Sequence, residues 1–275
     1  MMTFLGLDKK DWIYRESIVD DPKEKIRCLS NALIVDPTDA NIWYELGERY
    51  TTDKDKSQYC WSMAAKCYKN RLEKFKVDAI EFAKDHNHLL FMDVKSNDII
   101  GEIEVMYFSL GSTYLNLDKF NLAAEAYLKS YSFRKNDPDC LYFAAKAYYY
   151  SENYDKAKEL LLQNIDLTSE FQSYYLLGLV HLKQGNIRLG LSNFWKCIEN
   201  ADYNDAESYY YKHLAYNELG NLKKTEYYLK KAFECEPNKS RAFDLVDFYE
   251  QTENHSKCKK YYDLLHSFYR EKFKK

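Results

Sequence analysis

MYFSLGSTYLNLDKFNLAAEAYLKS, residues 106–130, carries a pattern that the rest of the chain repeats. Set 34 residues downstream, CLYFAAKAYYYSENYDKAKELLLQN (140–164) places Tyr148 on Tyr114, Tyr154 on Phe120 and Ala157 on Ala123. SYYLLGLVHLKQGNIRLGLSNFWKC (173–197) then puts Gly178 in the place of Gly111, Gly190 in that of Ala123 and Phe194 in that of Tyr127. In SYYYKHLAYNELGNLKKTEYYLKKA (208–232), Gly220 stands where Gly185 stood, 35 residues on. The last unit, AFDLVDFYEQTENHSKCKKYYDLL (242–265), keeps Leu245, Tyr249, Cys258, Tyr262 and Leu265. Self-similarity at such a period marks a repeat architecture.

Each unit holds two amphipathic stretches. Apolar residues recur at three- and four-residue spacing, as in Leu110 and Tyr114, then Ala123 and Tyr127, which is the helical period. Short polar breaks (LNLDKF, SENYD, KQGNI, ELGNL) separate the two. Residues 140–161 hold five tyrosines and four alanines with no glycine or proline. Alanine favours helix and lets helices approach, while tyrosine fills the space beside it and keeps a polar tip. One helix pair cannot bury its apolar face alone, but a stack of pairs can. Pro22, Pro37, Pro138 and Pro237 each follow an acidic residue at an expected helix start, where proline is tolerated.

These units resemble the tetratricopeptide repeat family. Its pattern of large aromatic, Leu-Gly, Tyr, small residue, aromatic, small residue and late Pro is carried by Trp43, Leu46, Gly47 and Tyr50. It recurs in Tyr107, Leu110, Gly111, Tyr114, Ala123, Tyr127 and Ser130, and in Tyr174, Leu177, Gly178, Gly190, Phe194 and Cys197, with His181 in the Tyr place. The unit at 206 supplies Tyr209, Tyr216, Ala232 and Pro237, but Lys212 and His213 replace Leu-Gly. The resemblance covers 40–50 and 104–265. It implies an all-α, right-handed superhelical solenoid of antiparallel helix pairs. Residues 23–37 read as the second helix of a partial first unit, and 40–72 as another unit. The expected organisation is an irregular helical part at 1–92 with a prolonged helix, a loop at 93–103, and a regular array at 104–275 closed by a C-terminal capping helix.

Composition excludes several classes. The chain of 275 residues is 46% hydrophobic and 30% charged, with 8 Gly and 4 Pro, unlike a disordered polymer or a turn-rich β protein. A net charge of −3 does not suit nucleic-acid binding, which needs a basic face. REKFKK at 270–275 reads as a solvated tail. No apolar run reaches the ~20 residues of a membrane span, and MMTFLGLDKKDWIY lacks the features of a secretory signal. Seven cysteines with no CxxC pair fit free thiols in a reducing compartment. A cytoplasmic or nuclear location is expected.

The resemblance makes the first helix of each pair line a concave groove. Positions between the packing sites there hold Phe108, Tyr142, Phe143, Tyr149, Tyr175, Tyr210, Tyr211 and Phe243. Tyrosine at such a surface suits protein recognition, because it offers large apolar area, a hydroxyl and few torsions to freeze. The alternative is that these rings only pack between helices, as Tyr148 does. Some relatives capture a C-terminal carboxylate with Lys, Asn and Arg. Here the corresponding positions hold Val105, Phe108, Ser109 and Ser112, then Asp139, Tyr142, Phe143 and Lys146, then Gln172, Tyr175, Leu176 and Leu179. A single lysine is not a clamp.

Chemical motifs are scarce. GxxxxGK[ST], GxGxxG and GxSxG are absent from the sequence. His86-Asn87-His88 beside Asp85 is a tight cluster, but two His at i and i+2 point to different sides of a helix. Cys60 and Cys67 lack a second pair at zinc spacing. Asp244 and Asp247 share a helix face and read as solvent-facing charges or contacts to a basic peptide. The expectation is a non-catalytic adaptor or scaffold subunit, with no catalytic residue, cofactor or metal, that binds a protein or peptide segment of another subunit. A co-chaperone or targeting receptor reading peptide tails, or a regulatory subunit of an enzyme complex, is the alternative.

Overall fold

The computed structural model describes residues 8–19, 21–50, 52–85, 94–133, 137–201 and 204–270, with the backbone alone over 76–85, 94–99 and 267–270. All regular structure among them is helical, as expected. The chain forms two compact units, 1–152 and 153–275. The first contains α1 (Lys9–Ile18), α2 (Pro22–Val35), α3 (Ala40–Arg49), α4 (Lys54–Asp85), α5 (Val94–Asn116), α6 (Phe120–Phe133) and α7 (Pro138–Tyr150). The second contains α8 (Tyr154–Thr168), α9 (Phe171–Lys183), α10 (Ile187–Asn200), α11 (Ala206–Glu218), α12 (Leu222–Cys235), α13 (Lys239–Gln251) and α14 (His255–Arg270). Within each unit every helix packs on the next in sequence, and α9 also touches α11. This is helix-pair stacking, with first helices α9, α11 and α13 in the second unit.

The turn inside each regular pair sets the register. Asp118, Glu152, Gly185, Gly220 and Glu253 all have positive φ, between 54° and 77°, at spacings of 34, 33, 35 and 33. A left-handed residue lets the first helix stop and the second start within three or four residues. Glycine takes this conformation without strain, and Asp and Glu do not.

In the pairs that turn at Asp118 and Gly185, the residue seven places before the turn meets the residue nine places after it. At Gly178 an added Cβ would lie 2.5 Å from the ring of Phe194, and at Gly111 it would lie 2.9 Å from the ring of Tyr127. The glycines are therefore notches for the second helix's aromatic side chain. In the next pair of the second unit the same positions hold His213 and Leu229, both buried, so no glycine notch is present there.

Helix starts follow the sequence signals. Pro22 and Pro138 occupy the first turn of α2 and α7, behind the capping side chains of Asp21 and Asp137. Asp39, Asn153, Asp205, Asn221 and Asn238 cap α3, α8, α11, α12 and α13 through their side chains. Each such cap contributes about 1 kcal/mol. Small polar residues join successive pairs. In the first unit Ser130 Oγ, which donates within its own pair to the Glu104 carbonyl (2.9 Å), accepts from Cys140 Sγ of α7 (3.5 Å), and in the second Ser173 Oγ donates to Asn164 Oδ1 (2.7 Å).

One expectation is corrected. The loop expected over 93–103 is helical from Val94 on, as the start of α5. Ile103 packs against a core that includes Tyr68, Met106, Tyr107 and Leu110. Gly101 lies within the helix, and an added Cβ there would meet nothing within 4 Å. The boundary between the compact units falls at 152/153.

Candidate functional site

Ten residues before each positive-φ turn stands Phe108, Tyr142, Tyr175, Tyr210 or Phe243, aromatic in all five pairs. One residue further on stands Ser109, Phe143, Leu176, Tyr211 or Asp244. These positions account for seven of the eight residues expected to line the groove, and Tyr149 stands apart near the end of α7.

Four of the rings form two equivalent wedges. In the first unit Phe108 (α5) and Phe143 (α7) lie 5.5 Å apart, and both touch Tyr127 (α6) at 5.2 and 5.5 Å. In the second, Tyr175 (α9) lies 5.6 Å from Phe194 (α10) and 5.8 Å from Tyr211 (α11). Tyr127 and Phe194 are fully buried, so each wedge ties the first-helix face to the core. Offset and edge contacts of this kind each add about 0.5–1.5 kcal/mol beyond area burial.

The remaining four rings sit at the margins. Tyr142 is half-buried with its ring edge on Phe143 (5.4 Å), and Tyr149 contacts Tyr150 (5.7 Å). Tyr210 lies 5.9 Å from Tyr211 and 4.8 Å from His213. Phe243 is 60% exposed, the most open of the eight.

Polar residues of these faces were not singled out by the sequence. In the first unit Asn116 Nδ2 donates to Glu48 Oε1 (2.7 Å) and reaches the Tyr44 hydroxyl, while Ser112 Oγ and the Tyr127 hydroxyl are 2.9 Å apart. Burial pushes the carboxyl of Glu48 up and also raises Tyr44. Asn116 is too far from Tyr44 and Glu48 in sequence for any local signal to pair it with them. In the second unit Gln172 Nε2 donates to Glu207 Oε1 (3.2 Å), but Gln172 Oε1 is buried without a partner, as is Asp244 Oδ2. Burial, then the charge of Asp247, pushes the Asp244 carboxyl up, and Arg241 opposes this. Tyr210 is raised by burial and next by the charge of Asp244, and Arg241 opposes this. His213 is buried, and burial pulls it down to about 4.

Other chemistry has little to stand on. His86 and His88, Asn87 between them and the side chain of Asp85 lie outside the described residues, as do 271–275. All seven cysteines are free. Burial pushes Cys60 and Cys140 up to about 11 and Cys197 up to about 12, which makes them poor nucleophiles. Among the described residues no three His, Cys, Asp or Glu side chains are grouped to hold a metal, and no helix is long and apolar enough to cross a membrane. Lys146 is half-buried, and burial pulls it down.

Comparison with known proteins bears on the repeat. Residues 105–137 match the family model described as tetratricopeptide repeat. No curated protein matches the chain. Among solved structures, TTC0263, a thermophilic TPR protein in Thermus thermophilus, is 18% identical at a TM-score of 0.50, covering 62% of this chain and 98% of that one. MamA 41-end from Desulfovibrio magneticus RS-1 is 22% identical at 0.42, covering 61% and 96%. Pseudomonas aeruginosa pilF is 14% identical at 0.43, covering 86% and 93%. The first of these likenesses is one of fold.

Proposed function

We propose that this chain, which carries a tetratricopeptide repeat at 105–137 and stacks helix pairs of that type, is a non-catalytic protein-interaction scaffold. It holds an extended or helical segment of a partner against the first-helix faces of its units. The observation that carries this reading is the aromatic position ten residues before each turn, filled by Phe108, Tyr142, Tyr175, Tyr210 and Phe243. Packing accounts for Phe108 and Tyr175, whose wedges reach the core. It does not account for an exposed phenylalanine at Phe243. An exposed ring in register with half-buried ones suits an anchor for another polypeptide, because its area is removed from water only in the complex. Free thiols favour the cytoplasm or nucleus as its place of work.

Affinity capture of the full chain from cells of its source, read by mass spectrometry, identifies the partner. Tyr142→Ala, Tyr210→Ala and Phe243→Ala are then compared singly with the unaltered chain. Loss of the partner with helicity and melting temperature nearly kept supports the reading. Normal partner recovery alongside a collapsed melting temperature overturns it and makes those rings structural.

A further inference from the structure

We propose that the cavity beside the turn from α3 to α4, in the first unit, binds a methylated ammonium group, carried by a small quaternary amine or by a methylated lysine side chain. The site is separate from the aromatic positions of the first-helix faces, and it stands or falls without them.

The cavity has a volume of about 390 Å³. Leu46 and Cys60, both buried, lie at its base, and Trp43, Tyr50 and Tyr59 supply its aromatic walls. Trp43 and Tyr59 stand edge to face, with ring centroids 5.9 Å apart and planes at 82°. Trp43 is fixed by its Nε1, which donates to the Pro37 carbonyl (2.9 Å). Tyr50 is fixed at the end of α3, where its N–H donates to the Gly47 carbonyl (3.2 Å). Tyr59 is 60% exposed, so its ring is open to a ligand. Aromatic faces set around one space attract a cation.

Two charged residues of the same cavity point to that charge. Lys56 Nζ lies 5.5 Å from the centre of the Tyr50 ring, so this wall already faces a cation. That lysine is held at the rim by Asp53 (2.8 Å). Asp55 also lines the cavity and is exposed. Its carboxylate makes no hydrogen bond or ion pair among the described residues, and it is left as the counter-charge for a ligand.

The walls select a methylated ammonium over a plain one. A plain ammonium carries three N–H donors and holds its water strongly. Rings, a leucine and a thiol offer those donors little in return. Methylation keeps the charge and removes donors, so the group leaves water more easily and meets the ring faces directly.

The test is calorimetric titration of the full chain with choline and with its neutral isostere, in which carbon replaces the nitrogen. Choline should bind about tenfold more tightly than the isostere. Tyr59→Ala and Asp55→Asn alter exposed positions and should each weaken choline about fivefold, while Tyr59→Phe keeps the affinity. Lys56→Gln, which withdraws the chain's own cation, should tighten it. A trimethyllysine peptide titrated beside its unmodified form separates the sources. Tighter binding of the methylated peptide than of choline assigns a protein ligand, and the reverse assigns a small molecule. Equal affinity for choline and the isostere overturns the site. So does heat from neither choline nor the methylated peptide, or full affinity in both Tyr59→Ala and Asp55→Asn.

Discussion

The two units build their first-helix faces from the same register positions but finish the polar groups differently. In the first unit Tyr44, Glu48 and Asn116 satisfy one another across α3 and α5, Tyr68 donates to Asn41, and Ser112 pairs with Tyr127. In the second, Gln172 and Asp244 each keep a buried oxygen unbonded, and Phe243 is left in solvent. A polar group that its own fold satisfies is part of the scaffold. One that the fold buries without a partner, as at Gln172 and Asp244, costs it stability. The difference also separates stability from function, since satisfied networks hold a fold together and open ones cost it stability.

The largest effects test the shared frame. Gly178→Val puts a branched side chain where even a Cβ lies 2.5 Å from Phe194, and we expect a loss of about 3 kcal/mol in urea unfolding. Gly111→Val, against Tyr127 at 2.9 Å, should cost less. Gly178→Ala with Phe194→Leu sets a smaller side chain against the added methyl and should recover most of what Gly178→Ala loses. If the double change is no better than Gly178→Ala alone, the notch is not what the glycine is for.

Acid should separate the units next. His213 is neutral in the folded chain at about 4 and takes its proton near 6.5 when unfolded. Its contribution is present above pH 6.5 and is lost as pH falls from there to about 4, amounting to about 3 kcal/mol. His181, also in the second unit, is shifted the same way. Hydrogen exchange should therefore show the second unit opening before the first across this window. His213→Phe should remove most of that sensitivity, and an unchanged pH profile would refute it.

Smaller changes address the polar contrast directly. Asn116→Leu leaves Glu48 without its donor and should destabilise by about 1 kcal/mol. Asp244→Asn removes an unbonded charge and should hold or raise the melting temperature, by no more than about 0.5 kcal/mol. If both substitutions destabilise equally, the distinction between closed and open faces is lost. Glu253→Gly, which relieves a φ of 54°, should stabilise the last pair by about 1 kcal/mol at most.

Much of this frame was legible in the sequence, because repetition averages out local ambiguity. Gly111 and Gly178 stood out by recurring, and the break at Ser151-Glu152-Asn153 lies between α7 and α8 as expected. The helix start at Val94 was hidden. DVKSNDIIGE is polar enough to look like a loop, and Gly101 looks like a breaker, yet a single glycine costs a helix only about 1 kcal/mol and Ile103 is anchored by tertiary packing. The polar network of Tyr44, Glu48 and Asn116 was invisible for another reason. Asn116 lies on α5 and its partners on α3, and only the fold brings them together. Asp244 was visible as a charge but not as an open one, because whether an acid is satisfied depends on neighbours such as Arg241 that the sequence does not assign.

The most direct test of the central claim is calorimetry of the full chain with and without Phe243→Ala, run beside titration of the captured partner or of a peptide selected on the full chain. Phe243 is largely exposed, so its removal should shift the melting temperature by about 1 °C or less while weakening binding tenfold or more. Unchanged affinity at an unchanged melting temperature would contradict the claim that this face holds a partner.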